Sequence, residues 1–357
     1  MNAALRILRG CLAAAVLATA GLGSVAAQPP RAAPKRPARA LPTTRIGPIA
    51  YVSLADVAHH LGLTGNWSGD RKKYSLTRDG LRLDFQSSGR DLHLNGYRIH
   101  LGDPVAMRGG RLYVGQTDWE HTVRPIVRPG EIGPVPSLPR VIVIDAGHGG
   151  SDPGTMNPRF NLSEKTITLQ VARRTRQRLQ ASGYQVRLTR DRDRLLGQQG
   201  AEDFRRRANV ANTADADLFI SIHFNADGDP RTRGAETFVF TPAGQRSTES
   251  WSSGAVDREK VSVPVNKYDG WSAVLAHAVQ GSVARRLQTP DRGQKTKHAA
   301  VLRWLDCPGV LVESAFISNP DDARKVITAE YQEKIAAAIA AGVDAYAAQI
   351  RSLQPKR

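Results

Sequence analysis

Val141-Ile142-Val143-Ile144-Asp145-Ala146-Gly147-His148-Gly149-Gly150 decides how the larger part of this chain folds. Residues 141–145 form a short, nearly continuous apolar run that breaks off into glycine. Such a run reads as a strand buried on both faces, the kind found in parallel sheets. Downstream, helical spacing runs from Ser163 to Ser182, followed by a strand at Tyr184–Thr189, a helix at Ala201–Thr213 and a strand at Asp217–His223. Another strand is expected at Ala235–Phe240, then a helix at Trp271–Leu287, a buried strand at Val310–Glu313 and a helix at Asp321–Tyr346. This alternation predicts an α/β fold, a mainly parallel sheet with helices on both faces, over residues 140–350.

Upstream the pattern changes. Residues 131–139, rich in proline towards their end, read as a linker, and 46–130 as a small α+β accessory domain. In that domain Val52–Leu61 has helical spacing. Tyr74–Leu76, Leu81–Leu83, Leu92–Leu94 and Leu112–Val114 alternate like short strands between Gly, Asp and Asn turns. Residues 28–45 are rich in Pro, Ala and Arg without apolar periodicity, which predicts an extended basic linker. Residues 1–27 read as a secretory signal: Arg6 and Arg9, an apolar run from Cys11 to Gly23, and the small-residue site Val25-Ala26-Ala27. Export to the periplasm, the envelope or the exterior is therefore expected.

Removal of that leader would leave Cys307 as the single cysteine, so no disulfide can hold the fold. Beside Pro308 and before an apolar run, Cys307 reads as a buried filler. The formal net charge of +17 favours polyanions. No helix-turn-helix, zinc-finger or RNA-recognition pattern accompanies it, so an anionic envelope surface, met through the basic linker, is the expected partner and nucleic acid is not.

Ligands of open α/β sheets bind outside the carboxyl ends of the strands. His148 follows the first strand there, His223 closes another, Glu313 ends a third, and Glu164 opens the helix after the first strand's loop. Two imidazoles and a carboxylate are a common catalytic zinc set, and a second carboxylate off the metal can carry protons. Singly, each has a structural reading: a packed histidine at a strand end, or a first-turn carboxylate favourable to the helix dipole. Spacing alone leaves the joint and the separate readings equally open. Asp145 could orient a histidine or cap the glycine turn.

The motifs VIVIDAGHGGSDPG, NLSEK, RLTRDRD, RRRANVANTADADLFISIHFNAD, RGAETFVF, DRGQK and PGVLVESAFISNPDDA keep their order from about residue 140 to the C-terminus. Together they resemble the zinc-dependent N-acetylmuramoyl-L-alanine amidases. The resemblance implies one zinc ion on His148, Glu164 and His223, with Glu313 as the catalytic glutamate. It also implies hydrolysis of the amide between the lactyl group of N-acetylmuramic acid and L-alanine in peptidoglycan. The accessory stretch is loosely similar to the small N-terminal domain of copper amine oxidases. Ala146, Phe224, Lys297 and Ala299 depart from what is usual in the amidases, the last two in the wall of the substrate groove. Residues 241–270 interrupt the α/β pattern and read as a surface loop near that groove. In some relatives a helix hereabouts plugs the site until an activator protein withdraws it. The nearest rival is a zinc peptidase acting on the peptide stem, which would share the active-site chemistry.

Overall fold

The computed structural model describes residues 40–249 and 257–355, so the expected signal and most of the first linker lie outside the described residues. The described residues hold together as one unit. The accessory part contributes β1 (Thr43–Ile46), β2 (Ile49–Ser53), α1 (Leu54–Leu61), β3 (Thr64–Trp67), β4 (Lys73–Arg78), β5 (Leu81–Gln86), β6 (Asp91–Leu94), β7 (Tyr97–His100), β8 (Ala106–Arg108) and β9 (Arg111–Gly115). Thr43 to Arg45 thus already form a strand inside the stretch expected as linker. Helix α1 begins where the Ser53 hydroxyl accepts from the Ala55 amide and ends at Gly62 in the left-handed conformation.

The rest of the chain supplies β10 (Val141–Ala146), β11 (Met156–Asn157), β12 (Leu162–Ser163), α2 (Glu164–Ala181), β13 (Gln185–Leu188), α3 (Ala201–Asn212), β14 (Leu218–Asn225) and β15 (Ala235–Phe240). It continues with α4 (Asp269–Leu287), β16 (Asp291–Lys297), β17 (Gly309–Phe316), α5 (Pro320–Val326) and α6 (Ala329–Leu353). The single helix expected over 321–346 is two. Asn319 caps α5, and Thr328 caps α6 by accepting from the Tyr331 amide.

Eleven strands form one sheet in the order β13-β10-β14-β17-β15-β16-β7-β6-β5-β4-β3. The expectation of a mainly parallel sheet is corrected: the sheet is mixed. Strands β13, β10, β14 and β17 run parallel, β15 is antiparallel to β17, β16 runs parallel to β15 and β7, and β7 to β3 are antiparallel. The physical reason is β16, which brings hairpin strands of the accessory part onto the same sheet. At that seam Gly293 has φ +91°, and an added Cβ would lie 2.9 Å from the Arg98 carbonyl oxygen.

Helices do cover both faces. Ile142, Ile144, Ile220, Ile222, Val310 and Val312 pack with α2, α4 and α6 on one side. Val143, Phe219, Phe238 and Leu311 pack with Ala208 and Ala211 of α3 on the other. Alternate residues of each strand thus enter two cores, which is why these strands are apolar throughout. Cys307 is buried and free, and burial pushes its thiol up to about 12, so it is an inert filler as expected.

His277 of α4 packs edge-on against Tyr97 of β7. Burial pushes its pKa down to about 4, with Asp291 opposing. A histidine depressed in the fold stabilises it above its unfolded pKa near 6.5, and that stability is lost as pH falls through the window towards 4. Urea midpoints are expected to fall over this window by a share worth about 3 kcal/mol at most. His277→Gln should flatten the slope; equal slopes in the two proteins would contradict this assignment.

Candidate metal centre

Strand β10 delivers the chain into Gly147-His148-Gly149, where His148 adopts φ 62°. Positive φ is uncommon for a residue with a side chain, and such strain gathers at functional sites. Two buried guanidinium groups hold the turn. Arg190 donates to the carbonyls of Ala146 (2.9 Å) and Gly147 (2.9 Å). Arg207 donates to those of Ala146 (2.7 Å) and His148 (2.7 Å). Asp145, fully buried, accepts from Thr189 (2.6 Å), Ser221 (2.7 Å) and Arg207 (2.8 Å). Burial alone would raise its pKa, but Arg207 and the two hydroxyls hold it below the usual carboxylate range. Asp145 therefore anchors the arginine clamp and orients neither histidine.

Glu164 opens α2 and is almost completely buried. Its Oε1 lies 3.0 Å from His148 Nε2 and 2.9 Å from His223 Nδ1, and accepts from the Phe224 amide at 3.1 Å. Its Oε2 accepts from the Thr155 amide at 2.9 Å. Burial favours the neutral acid, yet the two histidines hold Glu164 far below the ordinary range. His148 turns its other nitrogen, Nδ1, to Asp152 Oδ2 at 2.8 Å. Burial works against a charged His148, but Glu164 and then Asp152 outweigh it and raise its pKa.

His223 lies in β14, which runs on to Asn225, and its pairing with β17 becomes irregular just beyond it. In that register His223 faces Glu313, and across the antiparallel pair Glu313 faces Glu236. Burial first, then the charge of Glu164, pushes Glu313 well above the ordinary carboxylate range; Lys297 opposes, and Glu236 and Glu249 add to the effect. One of its oxygens, Oε2, has no hydrogen-bond partner among the described residues.

One ligand atom each from His148, Glu164 and His223 fall within 4.8 Å of one another. All three line a cleft of about 350 Å³, together with Glu313, Asp152, Phe204, Asn225, Lys297 and Ala299–Val301. The donor set suits a divalent cation: two imidazole nitrogens and a carboxylate oxygen close enough to share one ion, one imidazole braced from behind by a carboxylate. Glu313 stands in the same cleft without hydrogen-bonding to the three. The four residues singled out in the sequence are thus brought together. His298 turns Nδ1 to Asp257 and packs on Phe240.

Asp152, Arg190 and Arg207 were not singled out. The signals were present: Asp152 is a carboxylate four residues after His148, Arg190 follows a strand so closely that burial requires carbonyl partners, and Arg207 shares an inward helical face with Asp203 and Ala211. Gly154 completes the cradle. It has φ +65°, and an added Cβ would lie 2.7 Å from both Glu164 Oε2 and His148 Cδ2. Gly154→Ala is expected to lower the affinity of the three residues for a divalent cation about 10- to 100-fold, as displaced supporting groups commonly do. Competition with a metal-chelating dye would measure it, and an unchanged affinity would show that the glycine is not needed.

A family model described as N-acetylmuramoyl-L-alanine amidase matches residues 142–345. The chain is 34% identical over 211 residues to the N-acetylmuramoyl-L-alanine amidase LytC of Bacillus subtilis, a match covering 59% of this chain and 36% of that protein. It is 33% identical over 222 residues to the germination-specific N-acetylmuramoyl-L-alanine amidase of the same organism, covering 59% and 82%. Among solved structures, an N-acetylmuramoyl-L-alanine amidase of Clostridium difficile 630 is 30% identical with TM-score 0.48, covering 59% of this chain and 97% of that one. The match thus spans only about a third of LytC and about half of the Neisseria meningitidis amidase AmiC.

Proposed function

The chain belongs to the N-acetylmuramoyl-L-alanine amidase family, and from this we propose that residues 140–350 hydrolyse the amide between the lactyl group of N-acetylmuramic acid and L-alanine in peptidoglycan. His148, Glu164 and His223 hold one zinc ion and Glu313 is the catalytic residue. The observation that carries this reading is the convergence of three ligand atoms within 4.8 Å in a cleft that also presents an oxygen of Glu313 without a hydrogen-bond partner among the described residues. When bound, zinc acidifies water and polarises a carbonyl. The chain's own residues do the rest. Glu313 accepts the proton of the attacking water and gives it to the departing alanine amine. Its buried position, which favours the protonated acid, suits the second transfer. Asp152 fixes the ring of His148, and the clamp of Arg190 and Arg207 fixes the turn that bears it.

The same reading takes the protein to be exported by residues 1–27 to the periplasm or cell surface, for wall remodelling or daughter-cell separation. Peptidoglycan is its substrate, the basic stretch 28–45 meets an anionic envelope surface, and an activator protein is a further candidate partner. No helix among the described residues is long and apolar enough to cross a membrane. Digestion of purified peptidoglycan with and without chelator, followed by product masses, tests the function. Bare glycan strands with intact peptides beginning in alanine are expected, and only without chelator. Shortened stems would mark a zinc peptidase instead.

A further inference from the structure

Two permanently cationic side chains line the cleft, Arg207 and Lys297. Arg207 is saturated: it is buried and donates to Asp203, Asp145 and the carbonyls of Ala146 and His148. Lys297 is different. It is the last residue of β16, its side chain is 37% exposed, and its ammonium pairs at 2.9 Å with Glu249, itself 48% exposed. A pair so open to water contributes little to stability and is readily exchanged.

The surroundings of Lys297 suit it to hold an anion in the cleft. On the neighbouring strand Glu236 already holds two cations, Arg292 at 3.0 Å and Lys295 at 2.5 Å. The Lys297 ammonium sits 5.4 Å from the centre of the Phe238 ring, a flat apolar floor. Burial works against its charge, while Glu249, Glu313 and Glu236 all act electrostatically to keep it. It thus lies in the same field as Glu313. Glu249 shows that a carboxylate fits beside this ammonium.

We propose that Lys297 is a specificity-determining residue. It exchanges Glu249 for a carboxylate on the peptide stem, borne by the residue that follows the alanine, so that acidic stems are preferred over amidated ones. This rests on the amidase reading above. With Glu313 taken as the proton donor to the departing alanine amine, the stem is placed on the side of Glu313, and Lys297 lines the same cleft.

The test is steady-state kinetics of the zinc-loaded full chain on two muramoyl peptides. The residue after alanine carries a free carboxylate in one and its amide in the other. Wild type is expected to favour the carboxylate about tenfold in kcat/KM, chiefly through KM, as one charged hydrogen bond allows. Lys297→Met should bring the ratio of the two kcat/KM values towards one, and Lys297→Arg should keep it well above one. Glu249→Gln, by freeing the ammonium, should lower KM for the carboxylate form about two- to fivefold. A wild-type ratio near one, or an unaltered ratio in Lys297→Met, would overturn the proposal. If wild type leaves the muramoyl–alanine bond of both compounds intact yet shortens their stems, the amidase reading fails first and this proposal with it.

Discussion

Glu313→Ala is expected to reduce turnover by at least about a thousandfold while the protein keeps its full complement of metal. The expectation follows from position. Glu313 shares the cleft with His148, Glu164 and His223 but is hydrogen-bonded to none of them, and its Oε2 has no hydrogen-bond partner among the described residues. Removing a buried carboxyl that makes so few bonds should also cost the fold little. Rate measurements on peptidoglycan paired with elemental analysis would separate the roles. Loss of metal together with turnover would make Glu313 a ligand, and retained turnover would leave the proton transfers without a carrier.

His148→Ala is expected to lose both metal and turnover. His148 supplies one of the three convergent atoms, and with Nδ1 committed to Asp152 the nitrogen facing Glu164 is Nε2. The variant leaves Glu164 and His223 as two remaining ligands, fewer than a catalytic zinc site uses. Glu164 would also lose one of the two partners that hold its charge in a buried position. Metal content and turnover should therefore fall together, by orders of magnitude at sub-micromolar zinc. A variant that stayed metal-loaded and active would refute the ligand set.

Much of this was legible in the sequence because the physics was local. Val141–Ile144 could only be a buried strand, and the alternation after it placed His148, His223 and Glu313 at strand ends. The order of motifs then implied the ligand set. What stayed hidden was not local. Strand β16 reads DRGQKTK and contains no apolar side chain, so periodicity gave no sign of it. It is a strand because its neighbours on both sides supply hydrogen-bonding partners, and Gln294 and Thr296 are buried only in that context. Missing β16 meant missing the union of the two parts in one sheet, and with it the mixed strand directions. Arg190 and Arg207 left a signal that could be read only in part, for another reason. A buried arginine becomes readable once the carbonyls it bonds are known, and these belong to the turn 146–148, far away in sequence.

The seam between β16 and β7 bears on how the protein would behave if shortened. A version beginning near residue 140 would leave β16 with bare amides and carbonyls opposite Ile99, and would strip the cover from Ala273, which packs among the accessory side chains. Such a fragment would carry the whole catalytic cleft and yet be prone to clump or to pair with its own kind. Residues 43–115 are in this sense a selvedge for the half that carries the cleft.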